Sequence, residues 1–405
     1  MKANVKNRQI YLNQIIPHID KHVIKVLVGL RRSGKSFMML SLIDYIRTKN
    51  PDVNIIYINK EHYEFDYIKN YHDLQSYFED KYISGKKNFF FIDEIQEIEN
   101  FEKCIRNIYS KNLADIFISG SNSEILSGEL SSMLSGRYIE IRIHPLSYPE
   151  FIEFMNLSDT TESFYIYLRQ GGMPGLLNFK SENHTSATDY LKGVISTVLL
   201  KDVISRYKIR NISFLENLVK YLSKNTGSLV SAKNISDFLK SQRINISPNI
   251  VINYLSNICS AYFVNKVSRI EITGRKIFEI GEKYYFEDIG LRNALTGYNP
   301  ADISKLLENV VYNHLAIAGY TIYVGKQRSK EIDFFAEKNG EIIYIQVCYL
   351  LSGQKVIERE FGNLLEIADN YKKIVLSIDE TNFSNTWKGV EHKHVKDFCR
   401  DIVLV

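Results

Sequence analysis

One stretch constrains this chain more than any other: Val26-Leu27-Val28-Gly29-Leu30-Arg31-Arg32-Ser33-Gly34-Lys35-Ser36. Four residues separate Gly29 from Gly34, and Lys35-Ser36 follow directly, the spacing of a phosphate-binding loop between a strand and a helix. The flanks agree with that context. Val23 to Val28 is a β-branched run suited to a central parallel strand, and Phe37 to Ile46 is apolar and periodic as a helix requires. In such a loop the glycines let successive N–H groups turn inward toward an anion, and the helix N-terminus adds its partial positive charge. Gly29, Arg32, Ser33, Gly34, Lys35 and Ser36 are therefore expected to line a bound phosphate chain, with Lys35 reaching its outer phosphates.

A second stretch completes the chemistry. Asn88-Phe89-Phe90-Phe91-Ile92-Asp93-Glu94 is an apolar strand ending in two carboxylates, and it resembles Walker B. Together the two motifs predict ATP and Mg²⁺ as ligands, with Ser36 and Asp93 on the metal side and Glu94 orienting the attacking water. The strand Ala114 to Ser119 ends in Gly120-Ser121-Asn122-Ser123, where Asn122 resembles the sensor residue of AAA-type ATPases. Arg137, after Ser135-Gly136, is a candidate to neutralise the terminal phosphate, either in its own molecule or across a subunit interface, or else a structural arginine at a strand edge.

Length and composition bound the rest. A chain of 405 residues suggests two or three domains, and 45% hydrophobic with 24% charged residues is ordinary for a soluble globular protein. The four cysteines are scattered without a C-x-x-C pair, so neither a zinc site nor a disulfide framework is expected. The N-terminus lacks a signal-peptide core and no run is long enough to span a bilayer, which predicts a cytoplasmic protein without a membrane partner.

Alternating strands and helices predict an α/β, doubly wound parallel sheet over residues 1–208, with its ligand crevice at the carboxyl ends of the strands. Gly171-Gly172-Met173-Pro174-Gly175 reads as a turn-rich break with no evident chemistry. From Ile212 the pattern changes. Helices at 212–223, 232–241 and 247–258 precede two alternating stretches, Tyr262 to Arg269 and Lys276 to Phe286, joined as a hairpin, and this order spells a winged helix-turn-helix over 209–298. Between Arg206 and Gly290 there are 13 Lys and Arg against 7 Asp and Glu, an excess of +6 where the whole chain carries only +4. Such an excess suits a DNA backbone, although the helix that would enter the major groove, Ser247 to Ile258, has no lysine or arginine.

Residues 299–405 read as αβββαβ, a small α/β order that resembles the core of PD-(D/E)XK nucleases. Glu308 and Asp333 would stand for its first two acids. The third strand departs from the pattern, because Gln346 takes the place of an acid and Cys348 that of a lysine. An amide binds a divalent cation far less well than a carboxylate, and a thiol does not replace an ammonium, so this domain is expected to be catalytically silent.

Taken together, GLRRSGKS, FFFIDEIQ, SGRYIEIRIHPLSYPEF, GGMPG, KYYFEDIGL and the EIDFF…YIQVCY pair resemble a bacterial and archaeal family of AAA-type P-loop ATPases with a C-terminal region of uncharacterised function. The resemblance implies ATP binding, an AAA-type P-loop NTPase sheet with a lid, and a nuclease-like tail. Three functions fit: a nucleotide-driven switch or motor acting on DNA or a protein, a nucleotide-gated DNA-binding regulator with little turnover, and an ATP-dependent nuclease, which Gln346 and Cys348 disfavour. An oligomer would be required if Arg137 acts in trans.

Overall fold

In a computed structural model, which describes residues 6–126, 136–179, 184–277, 281–379 and 386–404, the chain divides into two compact units. The first comprises Met1–His144 with Ser260–Tyr262, and the second Pro145–Cys259 with Phe263–Val405.

The first unit is a five-stranded parallel sheet built from β1 (Ile24–Val28), β2 (Asn54–Asn59), β3 (Asn88–Asp93), β4 (Asp115–Gly120) and β5 (Tyr138–Arg142). Their order is β2-β3-β4-β1-β5. The central strands β3, β4 and β1 are buried on both faces, whereas the edge strands β2 and β5 are only partly buried. Phe89 and Phe91 of β3 belong to a core with Met38, Leu42 and Ile46 of helix α2 (Lys35–Lys49) and Tyr11 and Ile15 of α1 (Gln9–Ile15). Phe90, one residue out of phase, packs on Phe78 of α3 (Tyr71–Lys81). Asn70 decides where the helix starts, since its side chain and that of Asp73 form a capping box.

The order of strands matters for the site. β4 lies between β1, which leads into the glycine-rich loop, and β3, which carries the two acids. Three strand ends therefore meet at one edge.

In the second unit, helices Tyr148–Met155 and Thr161–Gln170 share a core with the helix Ile303–Ile317 and the C-terminal sheet: Tyr148, Phe164 and Leu168 are in one buried cluster with Leu306, Val310, Phe334 and Ile345. Helix Tyr148–Met155 was not anticipated from the sequence, though it has a legible capping box of Ser147 and Glu150 with Pro149 in its first turn. Helices Ile212–Lys224, Ala232–Ser241 and Pro248–Ser260 are followed by β7 (Val264–Val267), which pairs antiparallel with β9 (Glu282–Phe286), and β9 pairs in turn with the short β6 (Leu229–Val230). Residues 278–280 of the expected hairpin lie outside the described residues, as does Ser135. Between β7 and β9, β8 (Arg269–Glu271) leaves the hairpin and pairs parallel with β10 (Thr321–Gln327). There it becomes the edge of a seven-stranded sheet ordered β14 (Thr386–Trp387), β15 (Val390–His394), β13 (Lys372–Ser377), β12 (Glu341–Val347), β11 (Lys330–Lys338), β10 and β8.

That sheet contains the expected β10, β11 (Lys330–Lys338), β12 (Glu341–Val347) and β13 (Lys372–Ser377). It also has β14 (Thr386–Trp387) and β15 (Val390–His394), followed by a helix, Val395–Leu404, which the αβββαβ reading did not include. Among the described residues no helix is long and apolar enough to cross a membrane.

Candidate functional site

The loop after β1 has the geometry its residues require. Gly29 has φ 142°, and a Cβ there would lie 2.3 Å from the carbonyl oxygen of Ile143, so the close pass of the chain after β5 leaves room only for glycine. Gly34, with φ 107°, caps α2. Arg8, on no recognised motif, braces the loop from behind. It is buried, stacks on Tyr11, and donates to the backbone oxygens of Ser33 (3.1 Å) and His144 (2.7 Å).

Lys35 Nζ donates to the carbonyl oxygens of Gly29 and Leu30, each at 3.0 Å, and lies 4.0 Å from Glu94 Oε1. Asp93 is fully buried at the end of β3. Ser119 of β4 donates to its Oδ1, and Ser36 also hydrogen-bonds its side chain. Burial raises the Asp93 pKa and these two hydroxyls oppose the rise. The second oxygen, Oδ2, is buried without a hydrogen-bond partner, as is the hydroxyl of Ser33.

A buried carboxylate oxygen beside a loop serine is a donor set suited to Mg²⁺ and its water shell, and a lone hydroxyl inside the loop is suited to a phosphate oxygen. The residues therefore fit both groups.

Glu94 follows in a left-handed conformation, φ 56° and ψ 49°, which a glutamate holds only at a cost on the order of 1 kcal/mol. The turn swings its side chain back over the loop. Oε2 accepts from Ser121 Oγ (3.1 Å) and from Gln96, while Arg31 Nη2 lies 3.8 Å away. Burial pushes the Glu94 pKa up, but Lys35, Arg31, Gln96 and Ser121 together hold it below the usual carboxylate value. Asn122, one residue beyond Ser121, is fully buried at the same strand end.

Lys35, Ser36, Asp93, Glu94 and Asn122 are thus gathered at one sheet edge, with Gly29, Ser33 and Gly34 forming the loop between them. Arg32 is exposed, with φ 67°. Arg31, its buried neighbour, is the arginine that faces Glu94. Arg137 is not brought to the site. It precedes β5 at the opposite end of the sheet, where its carbonyl accepts from Ile24 N and its guanidinium lies 5.8 Å from the Tyr109 ring centre. A five-residue strand of about 16 Å separates that end from the loop, so an approach to the phosphates within the same molecule is ruled out by distance.

Sequence reasoning missed Arg31, Gln96, Ser119, Ser121 and Arg8. Arg31 had a readable signal, since it lies inside the loop, and the serines sit at the tip of a recognised strand. Arg8 had none, because only the fold brings it to residue 33.

In the second unit, Glu308 and Asp333 do come together, but around an ammonium. Lys283 of β9 is buried with Nζ 2.8 Å from Glu308 Oε1, 2.8 Å from Glu331 Oε1 and 3.7 Å from Asp333 Oδ1. Tyr285 donates to Glu308 Oε1 at 2.6 Å. Burial disfavours the charged lysine, yet the three carboxylates hold it well above its ordinary pKa. Burial and the nearby Glu308 push Asp333 up to about 8.

The parallel sheet with a glycine-rich loop leading into its first covering helix, and with two acids at the end of a non-adjacent strand, defines an AAA-type P-loop fold. Residues 21–152 match the family described as an AAA domain, and residues 161–302 match a domain of unknown function. An uncharacterized protein of Haemophilus influenzae is 36% identical over 383 residues, covering 93% of this chain and 94% of its own length. An uncharacterized protein of Methanocaldococcus jannaschii is 30% identical over 369 residues, covering 87% of this chain and 79% of its own. The chain belongs to the family of these bacterial and archaeal proteins, and its own residues 21–152 form its AAA domain. The Walker-type ATPase of Pyrococcus abyssi shares the fold, with a TM-score of 0.52 at 15% identity over 71% of this chain and 95% of that one.

Proposed function

We propose that this protein is an Mg²⁺-dependent ATPase acting as a nucleotide-driven switch or motor on a macromolecular partner. The observation that carries the reading is the convergence of Lys35, Ser36, Asp93 and Glu94 at one sheet edge, with the unpartnered Asp93 Oδ2 and Ser33 Oγ among them. On this reading Ser36 and Asp93 hold the magnesium ion, which when bound neutralises phosphate charge. Lys35 leaves the carbonyls of Gly29 and Leu30 for the outer phosphates. Glu94 accepts a hydrogen bond from the attacking water, and Asn122 positions the terminal phosphate. Arg137, remote within its own molecule, can act only in trans and so only in an oligomer.

On this reading residues 1–208 are the ATPase and its lid helices, the lid helices from Tyr148 on packing in the second unit, with 209–298 a winged helix-turn-helix and 299–405 a nuclease-like domain. The lysine seated among Glu308, Glu331 and Asp333 supports a silent domain, since it takes up the carboxylates a nuclease would offer to a metal.

Lys35→Ala is expected to abolish ATP binding, because it removes the cation that meets the phosphates. Glu94→Gln is expected to bind ATP but lose turnover by about a hundredfold or more. Equilibrium nucleotide binding beside phosphate release checks both. Hydrolysis by Glu94→Gln at the wild-type rate would remove Glu94 from its role.

The local basic excess favours a second reading, a nucleotide-gated DNA-binding regulator with slow turnover. It differs from the first in requiring salt-sensitive DNA affinity whether or not ATP is hydrolysed.

A further inference from the structure

Arg31 has a role that the loop pattern does not assign. Its guanidinium is buried among strand ends: Nη1 is 3.0 Å from Glu61 Oε1 just beyond β2, Nη2 is 3.5 Å from Ser121 Oγ at the end of β4, and Nη2 is 3.8 Å from Glu94 Oε2 at the end of β3. Lys35 approaches the other oxygen of the same carboxylate at 4.0 Å. Two cations from the phosphate loop therefore flank one anion, and that anion is the side chain expected to orient water.

A phosphate chain entering the loop competes for both cations, because a phosphate oxygen is a stronger partner than a carboxylate at 3.8 to 4.0 Å. The two cations are not equivalent. Lys35 is held by the loop's own carbonyls, whereas Arg31 lies farther out, on the side of Ser121, Glu94 and Glu61. That is the side on which Glu94 must stand to face water attacking the last phosphate. On the ATPase reading this side falls to the third phosphate, because Glu94 orients the water that attacks it.

Glu61 is released at little cost, being 57% exposed and readily solvated. Glu94 keeps its hydrogen bonds from Ser121 and Gln96 when the arginine departs.

Resting on the ATPase reading above, we propose that Arg31 is a γ-phosphate-sensing latch: without ATP it clamps Glu94 and Glu61, and the γ-phosphate draws it away, freeing Glu94 for water. The latch distinguishes ATP from ADP within one molecule. It also couples arrival of the triphosphate to release of the water-orienting group.

The test titrates the full chain, with Mg²⁺, with ADP and with a non-hydrolysable ATP analogue. In Arg31→Met the analogue is expected to lose about tenfold in affinity, the value of one charge-assisted contact, with ADP unchanged within about twofold. Equal losses for both nucleotides would reduce Arg31 to a structural part of the loop and overturn the latch, as would no loss at all. Glu61→Gln, at an exposed position, gives a second measurement independent of any folding defect. Removing a competing partner should tighten analogue binding about twofold to threefold and leave ADP alone, and an unchanged or weakened analogue affinity overturns the latch. If the wild-type chain binds neither nucleotide, the ATPase reading falls and the latch with it. If it binds both and only these selective effects are missing, the latch alone falls.

Discussion

At the scale of single residues, several buried polar groups have ionisation set by what surrounds them. His314 is the clearest. Its Nε2 accepts from the backbone N–H of Tyr148 (2.9 Å), so its Nδ1–H donates to Val310 O (2.7 Å), and the ring is neutral. Burial pushes its pKa down from 6.5 to about 4. A base with a lowered native pKa adds stability above its unfolded value that is lost as pH falls toward the native one. His314 should therefore contribute up to about 3 kcal/mol at neutral pH that disappears between about pH 6.5 and 4. Asp288 and Asp333, with pKa values raised to about 6 and about 8, run the other way, gaining native stability as pH falls. The measurement is accordingly a difference: the stability gap between wild type and His314→Gln in urea, expected to narrow by about that amount from pH 7 to pH 4. A constant gap would mean that the ring is not held neutral.

At the scale of elements, the glycine-rich turn and the KYYFEDIGL segment explain one another. A Cβ on Gly172 would stand 2.1 Å from Leu146 O, one on Gly171 2.4 Å from Asp288 Oδ1, and one on Gly290 1.9 Å from Gln170 O. Gly172 N donates to Asp288 Oδ2 at 2.6 Å, and Leu291 N to Asp288 Oδ1 at 3.0 Å. Gly171 and Gly290 let the two backbone segments touch, Gly172 lets the turn pass Leu146, and the Asp288 side chain ties the turn to the second segment. A stretch that reads as an idle turn in sequence is thus a joint between the helix Thr161–Gln170 and the helix Ile289–Thr296. Gly172→Ala is expected to lower stability by about 2 to 4 kcal/mol, because the obstacle is backbone. Gly193→Ala, within the helix His184–Thr197 and with nothing within 4 Å of the added carbon, should instead stabilise by about 0.5 to 1 kcal/mol. Chemical denaturation of the two variants side by side tests the contrast, and equal effects would refute it.

At the scale of the whole molecule, the proposed switch needs a partner to act on. The excess of +6 between Arg206 and Gly290 is the feature that favours DNA. The helix Pro248–Ser260 offers no basic residue and exposes Ile250 and Ile252. Backbone contact without base reading is the form of binding these features support. If about four phosphates are engaged, affinity for a duplex should fall about a hundredfold from about 50 to about 200 mM salt, with little dependence on sequence. Fluorescence anisotropy at the two concentrations, with and without ATP, measures this. No affinity under any condition would eliminate DNA and leave a protein as the partner.

The sequence by itself determined the glycine-rich loop, the two acids and the parallel strands that carry them, because each is written in contiguous spacing and the central strands are apolar on both faces. It also determined the three helices after Ile212 and the run of strands from Thr321. Tertiary structure alone decided which arginine faces Glu94. Arg31 and Arg32 are neighbours of identical chemistry, and only the left-handed backbone at Arg32 turns one outward and leaves the other among the strand ends. Tertiary structure also set Arg137 a strand's length from the glycine-rich loop, and brought Lys283 to Glu308, Glu331 and Asp333 from a strand far from them in sequence. Spacing along a chain reports what lies within a turn or a strand, whereas charges brought together across a fold answer to burial, which no local pattern encodes.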